Sequence, residues 1–296
     1  MSTLRRHSTT ATNDSGGTVP AEELLAFVQA DAGGTARSGA SAFDAVRYHL
    51  EAGGKRARHG LALQTARLLG IEEPDCRCLA ACVELLHNSS LVFDDLQDRD
   101  ETRRGRPAVW VEYGPDVALC AGALLLSGAY GALSQLSRPE RAAALVGHVH
   151  RRTATLIHGQ TADLAAESCE LSASDYEQIA AEKSGVLFAL PLEMAALYAG
   201  REDAMEGIQA ASRALSIGYQ ITDDLADFVT DIAAGDSSRL NYVVVLDRSG
   251  GPEDAISAAR TRSLELLDEA HRGASSLPGG MGGPLADLAS LLASRA

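Results

Sequence analysis

Residues 85–98 read Leu-Leu-His87-Asn-Ser89-Ser90-Leu-Val-Phe93-Asp94-Asp95-Leu-Gln-Asp98, an apolar run that ends in three acids. The pattern returns at 218–227 as Gly-Tyr-Gln220-Ile-Thr-Asp223-Asp224-Leu-Ala-Asp227. On a helix, positions i and i+4 lie one above the other with i+1 beside them, so each triplet gathers its carboxylates on one side. Three like charges on a half-buried helix repel unless cations relieve them. All-oxygen ligation of this kind suits Mg²⁺, which shares its shell with water and substrate phosphates. One triplet alone would be as well explained by a solvated acidic face. Two identical triplets, each in apolar surroundings, make metal-bridged phosphate the better account.

Working outward, 46% of the 296 residues are hydrophobic but only 4% are aromatic. That is enough for a substantial core, and the balance favours helices over strands, so the expected fold class is all-α. Helices are expected from Pro20 to about 32, at 42–52 up to Gly53-Gly54, at 55–70, and from Cys76 to about Asp98 after a loop holding Pro74. Further helices are expected at 116–136, 139–168, 174–199, 203–231, 252–271 and 285–295. No strand alternation is found, and Val243 to Leu246 is too short and isolated to build a sheet. Residues 273–283 read as a flexible loop that lacks the lysine and preceding strand of a P-loop. Residues 1–19, without a secretory apolar run, read as a disordered tail, and 20–296 as one helical domain.

Twenty-six basic residues against 40 acidic ones give a formal charge of −14, which argues against general affinity for nucleic acid or anionic lipid. Any polyanion must be met locally. Only two lysines are present: Lys55 in Gly53-Gly-Lys-Arg-Ala-Arg58, a glycine turn that allows close backbone approach, and Lys183 in Glu182-Lys-Ser184-Gly185. Arg103, Arg104 and Arg106 follow the first triplet. The five cysteines, Cys76, Cys78, Cys82, Cys120 and Cys169, are odd in number and lack paired zinc spacings. Thiols in a reduced, cytoplasmic protein are expected. The uncharged run 117–137 is long enough to cross a membrane but lacks flanking anchors, so no stable span is expected and a helix at the centre of a bundle is.

With these segments in view, the sequence resembles the trans-isoprenyl diphosphate synthases, or polyprenyl synthetases. The resemblance runs in order through GGKRAR at 53–58, LLHNSSLVFDDLQD at 85–98, RRGRP at 103–107, GQTADL at 159–164, KSG at 183–185 and GYQITDDLAD at 218–227. It implies an all-α bundle around a central cavity, with the acid motifs facing each other across its mouth. The implied enzyme is a trans-prenyltransferase that joins an allylic diphosphate to isopentenyl diphosphate. Mg²⁺, three ions with substrate bound, would draw off diphosphate, and an allylic cation would form in an apolar cavity that excludes water.

By motif position the resemblance implies catalytic roles for Asp94, Asp95, Asp98, Asp223, Asp224, Asp227 and Lys183. The metal would be held by Asp94, Asp98 and Asp223, with Asp95 and Asp227 as further candidates. Lys55, Arg58, His87 and Arg104 would hold isopentenyl diphosphate, with His87 as a cation or a donor. Arg103, Lys183, Ser184 and Gln220 would hold the allylic substrate. Ser89 and Ser90 stand where this family limits product length, and neither would block the channel as Phe or Tyr would. The product implied is C20, geranylgeranyl diphosphate, Leu86, Val83 and residues of 117–136 would form the channel floor, and Ser89→Phe would shorten the product. A homodimer is implied as well.

Three positions depart from the family pattern. Phe93 replaces a common histidine, His59 replaces a common proline, and the stretch from Phe228 to Tyr242 has none of the two lysines usual there, with Arg239 as a replacement for one. The altered loop keeps open a different prenyl acceptor, and a C15 farnesyl diphosphate product also stays open. A terpene cyclase or a catalytically silent partner subunit fits less well, because both acid triplets and the GGKRAR set are present.

Overall fold

Both acid segments are helical in the computed structural model, which describes residues 21–29, 41–166, 171–234, 240–247 and 252–296. The tail expected at 1–19, Cys169 and Arg239 lie outside them. In chain order the helices are α1 (Ala21–Val28), α2 (Ala42–Glu51), α3 (Ala57–Leu68), α4 (Glu73–Gln97), α5 (Val109–Tyr113), α6 (Pro115–Ser134) and α7 (Pro139–Ala166). There follow α8 (Ala173–Ala180), α9 (Val186–Ala199), α10 (Met205–Ala234), α11 (Tyr242–Asp247), α12 (Pro252–Ser275) and α13 (Gly283–Ala293). The fold is all-α apart from one short antiparallel hairpin, β1 (Thr102–Arg103) and β2 (Arg106–Pro107).

Local chemistry sets several starts. The Ser41 hydroxyl accepts from the Asp44 amide at 3.1 Å, and Ser172 with Asp175 forms a capping box. Pro74 sits in the first turn of α4, where its missing N–H has no role, so this helix starts earlier than the expected Cys76.

Helix α9 organises the interior. Apart from Glu193, which is buried against Arg152 and His148, it is apolar all round and almost wholly buried, as such a helix must be in water. Leu187, Leu190 and Met194 join a cluster with α1, α2, α4 and α6, while Phe188, Leu192 and Ala196 join one with α10, α12 and α13. The acid-bearing helices α4 and α10 therefore stand on either side of α9. Their apolar faces hold them there.

Val243 to Leu246 builds no sheet, as expected, and is part of the short helix α11. The structure corrects three other expectations. The segment expected as one helix at 174–199 contains a π-helical turn, Ala181–Gly185, between α8 and α9. Residues 273–283 are packed rather than loose, because Leu277 and Met281 are buried and Thr65 of α3 hydrogen-bonds the Met281 carbonyl at 3.4 Å. Finally, α6 is long and apolar enough to cross a membrane, yet it is not central: less than half of it is buried, and Leu119 and Cys120 are exposed.

Candidate functional site

The turn between α2 and α3 places the first group of cations. Gly53 and Gly54 have φ of 77° and 141°, a region that L side chains avoid. A Cβ on Gly54 would stand 2.7 Å from the Arg104 guanidinium carbon, so the bare backbone lets Arg104 close on the turn, where Nη1 donates to the Gly53 carbonyl. Behind it, Arg58 Nη1 lies 3.4 Å from His87 Nε2, and the Arg58 guanidinium stacks 4.4 Å above the Phe188 ring. Burial, and then Arg58 and Arg104, hold the His87 pKa well below its ordinary value. His87 is thus neutral, and with Arg58 donating to Nε2 its proton sits on Nδ1, which is buried and without a partner. Arg58 Nε, Arg56 Nη1 and Glu84 Oε2 are likewise buried without a hydrogen bond. These groups line a cavity of about 700 Å³ together with Lys55, Arg104, Asp223 and, from the far wall, Arg260, Leu288 and Leu292. Buried donors without acceptors are what an anion site looks like before its anion arrives.

A second cavity, of about 450 Å³, lies on the other flank of α10 and is lined by Asp98, Asp163, Lys183, Ser184, Gln220 and Asp227 among others. The π turn presents Lys183 and Ser184 to it, a use common for such bulges. Helix α7 reaches the turn through Gly159, where a Cβ would stand 2.5 Å from the Lys183 amide nitrogen. One turn further, Asp163 accepts from Lys183 Nζ. Burial opposes the lysine's charge, but Asp163, with Asp94 and Asp98 beyond it, outweighs burial and raises the pKa. Ser184 Oγ donates to Gln220 Oε1 at 3.5 Å.

The acid triplets divide alike. In each, the second acid turns inward. Asp95 is 1% exposed and accepts from Arg103 Nε at 2.7 Å and from its Nη2. The hairpin aims Arg103 there: Arg104 and Gly105, at φ of 53° and 77°, make the two-residue turn that matches strand twist. Asp224, 6% exposed, accepts from the Tyr176 hydroxyl at 2.6 Å, the Tyr242 amide at 2.7 Å and Gln220 at 3.3 Å. Its pKa is pushed up to about 6 by burial, against these donors. The outer acids stay nearer solvent. Asp94 is raised to about 6, chiefly by burial, and Asp223 is raised by burial with Asp227 adding to it.

Among the described residues no three of His, Cys, Asp or Glu gather closely enough to hold a metal ion by themselves. Carboxylates from the end of α4 and from α10, Asp98 and Asp227, around one cavity instead suit an ion that keeps its waters and shares phosphate oxygens. Cys76, Cys78 and Cys82 are buried free thiols, with Cys76 pushed up to about 11 by burial.

The structure thus brings Lys55, Arg58, His87 and Arg104 together in one cavity and Lys183, Ser184 and Gln220 in another. Arg103 is apart, paired with Asp95. Sequence reasoning passed over Asp163, although it quoted GQTADL, and also Arg260, whose place depends on the distant packing of α12 on α10.

Residues 41–237 match the polyprenyl synthetase family. A geranylgeranyl diphosphate synthase of Methanosarcina mazei is 34% identical over 188 residues, covering 62% of this chain and 58% of that protein. A (2E,6E)-farnesyl diphosphate synthase of Mycobacterium tuberculosis is 38% identical over 174 residues, 58% of this chain and 48% of its own. The matches thus span about half the length of these relatives. Among solved structures, a geranylgeranyl pyrophosphate synthetase from Geoglobus acetivorans superposes with a TM-score of 0.80 at 25% identity, covering 93% of this chain and 97% of that one.

Proposed function

The chain belongs to the polyprenyl synthetase family, and from that premise we propose that it is a Mg²⁺-dependent trans-prenyltransferase joining an allylic diphosphate to isopentenyl diphosphate. One observation carries the reading: two cavities with charged linings flank α10, Asp223 lining one and Asp227 the other. Two diphosphates are thereby brought to one acid motif. Residues 20–296 are read as one domain.

Isopentenyl diphosphate takes the larger cavity, where Lys55, Arg58 and Arg104 meet its phosphates and neutral His87 donates through Nδ1. The allylic diphosphate takes the smaller one, held by Lys183, Ser184 and Gln220. Asp94, Asp98, Asp223 and Asp227 would hold Mg²⁺, which neutralises the diphosphate charge that builds as the allylic C–O bond breaks. Lys183 is poised to exchange Asp163 for that leaving group, adding a donor where charge develops. Asp95 and Asp224 act as anchors that fix Arg103 and the 240–242 segment. Electrons of the isopentenyl double bond form the new C–C bond, and the proton lost goes to the released diphosphate.

The names of the Methanosarcina and Geoglobus relatives support a C20 product, geranylgeranyl diphosphate, and the Mycobacterium relative keeps C15 as the alternative. A homodimer through the outer face of α6 and α7 would cover Leu119 and Ile157, which are 49% and 56% exposed. Free thiols at Cys76, Cys78 and Cys82 fit a cytoplasmic setting.

The deciding assay incubates purified protein with Mg²⁺, labelled isopentenyl diphosphate and C5, C10 or C15 allylic diphosphates, and sizes the products. Extension to C20 is expected. No extension with any partner overturns the reading, and an end point at C15 overturns the product assignment alone.

A further inference from the structure

Among the described residues three that are not glycine have positive φ: Arg56, Arg99 and Arg104, at 45°, 56° and 53°. All three are arginines and all three line a cavity, Arg56 and Arg104 the larger one and Arg99 the smaller. A long L side chain persists in this region only where its surroundings fix the backbone, and such residues gather at ligand clamps.

Arg99 follows the C-cap of α4. The Asp100 amide reaches back to the Asp95 carbonyl at 2.9 Å, which puts Arg99 at the left-handed position that most often falls to glycine. Asp100 is fixed from its other side as well, because Trp110 Nε1 donates to its carbonyl at 2.8 Å. A glycine would close the helix here without strain. What the arginine adds is a side chain with a free charge. Its exposed guanidinium pairs with none of the four acids that share its cavity, whereas Lys183, the other cation there, is held by Asp163.

Two irregular stretches of backbone therefore present cations to one cavity, the π turn with Lys183 and the end of α4 with Arg99. Helix α7 ties them together: Gln160 donates to Gln97 Oε1 at 3.1 Å, beside the Gly159 on which the π turn rests. The planar fork of an arginine matches two oxygens of a phosphate.

We infer that Arg99 grips the allylic diphosphate in the smaller cavity, and that the left-handed backbone at the end of α4 serves to aim it there. The inference rests on the prenyl-transfer reading and adds a binding residue to the allylic side of that site.

The test compares wild type with Arg99→Gly, Arg99→Asn and Arg99→Lys by thermal melting and by steady-state kinetics in which each substrate is varied in turn. Glycine relieves the left-handed backbone and asparagine tolerates it, so neither variant should melt below wild type. Both should nonetheless raise KM for the allylic diphosphate about tenfold, as for the loss of one charge-assisted hydrogen bond. KM for isopentenyl diphosphate should stay unchanged. Arg99→Lys, which keeps the charge without the fork, should fall between wild type and the neutral variants. A residue that only ends the helix would leave the allylic KM at its wild-type value in all three, and that result overturns the inference alone, as does an equal rise in both KM values. A wild-type protein that extends nothing overturns the prenyl-transfer reading and this inference with it.

Discussion

The two cavities beside α10 share an acid motif but carry opposite charge. The larger one is lined by Lys55, Arg56, Arg58, Arg104, Arg260 and Arg295 against Glu84 and Asp223. The smaller is lined by Asp98, Asp163, Asp224 and Asp227 against Arg99 and Lys183. Among the described residues Lys55, Arg58 and Arg104 make no ion pair, whereas Lys183 is held by Asp163. A diphosphate can enter the first directly. The second would repel it until cations reversed the sign, which on the proposed reading ties bond-breaking to metal and leaves acceptor binding free of it.

Chelation should expose this contrast most strongly. With Mg²⁺ removed, affinity for the allylic diphosphate should fall about 10³-fold, since a bound divalent ion contributes several kcal/mol. Affinity for isopentenyl diphosphate should stay within about threefold on the same scale. Calorimetric titration of each diphosphate in EDTA measures both, and equal losses would mean the cavities do not differ as described.

The two inward acids offer a finer contrast. Arg103→Ala leaves Asp95 buried with an uncompensated charge and should destabilise by about 3 kcal/mol, the low end for a buried pair because Arg103 is 30% exposed. Tyr176→Phe removes one of three donors from Asp224 and should cost about 1–2 kcal/mol. Urea unfolding of both variants ranks them, and the reverse order would show that Asp224 is the more charged of the two. Gly159→Ala forces a Cβ onto the π turn's backbone and should destabilise by about 1–3 kcal/mol. It should also raise KM for the allylic substrate while sparing that for isopentenyl diphosphate, which steady-state kinetics would separate.

A further contrast concerns pH. Burial, then Arg56 and Arg67, lower His59 to about 4, so between about pH 6.5 and 4 the unfolded chain takes up a proton that the folded one refuses. Stability is then lost as pH falls. Asp94 and Asp224, raised to about 6, work in the opposite sense, so the comparison is with His59→Gln. Relative to that variant, wild type should lose about 1.4 kcal/mol per pH unit through this window. Parallel slopes would place a charged His59 in the fold.

Motifs that contain their own chemistry were legible in the sequence. GGKRAR, the two triplets and KSG each announce a charge and a backbone need within a few residues, and the all-α class followed from composition. Facing directions were not. The letters at Asp94 and Asp95 are identical, and only the hairpin's aim shows that Asp95 belongs to Arg103. Ser89 reads as open space because its size is written in the chain, while its bond to the Gly122 carbonyl, 33 residues away, is not. Pairings of distant residues, such as Arg260 with the first cavity, depend on how helices cross, and periodicity does not encode that.

The π turn at Ala181–Gly185 has a further consequence. It is one residue more than an α-helix would use between the capping box at Ser172 and the buried stretch of α9. Each residue of an α-helix turns the chain by about 100°. A one-residue deletion inside the turn would restore a regular helix, keep every apolar contact of α9, and swing Lys183 away from its cavity. The site is thus more exposed to loss by a length change than by many substitutions, and a chain so shortened would keep the core of α9 while holding Lys183 in the wrong direction.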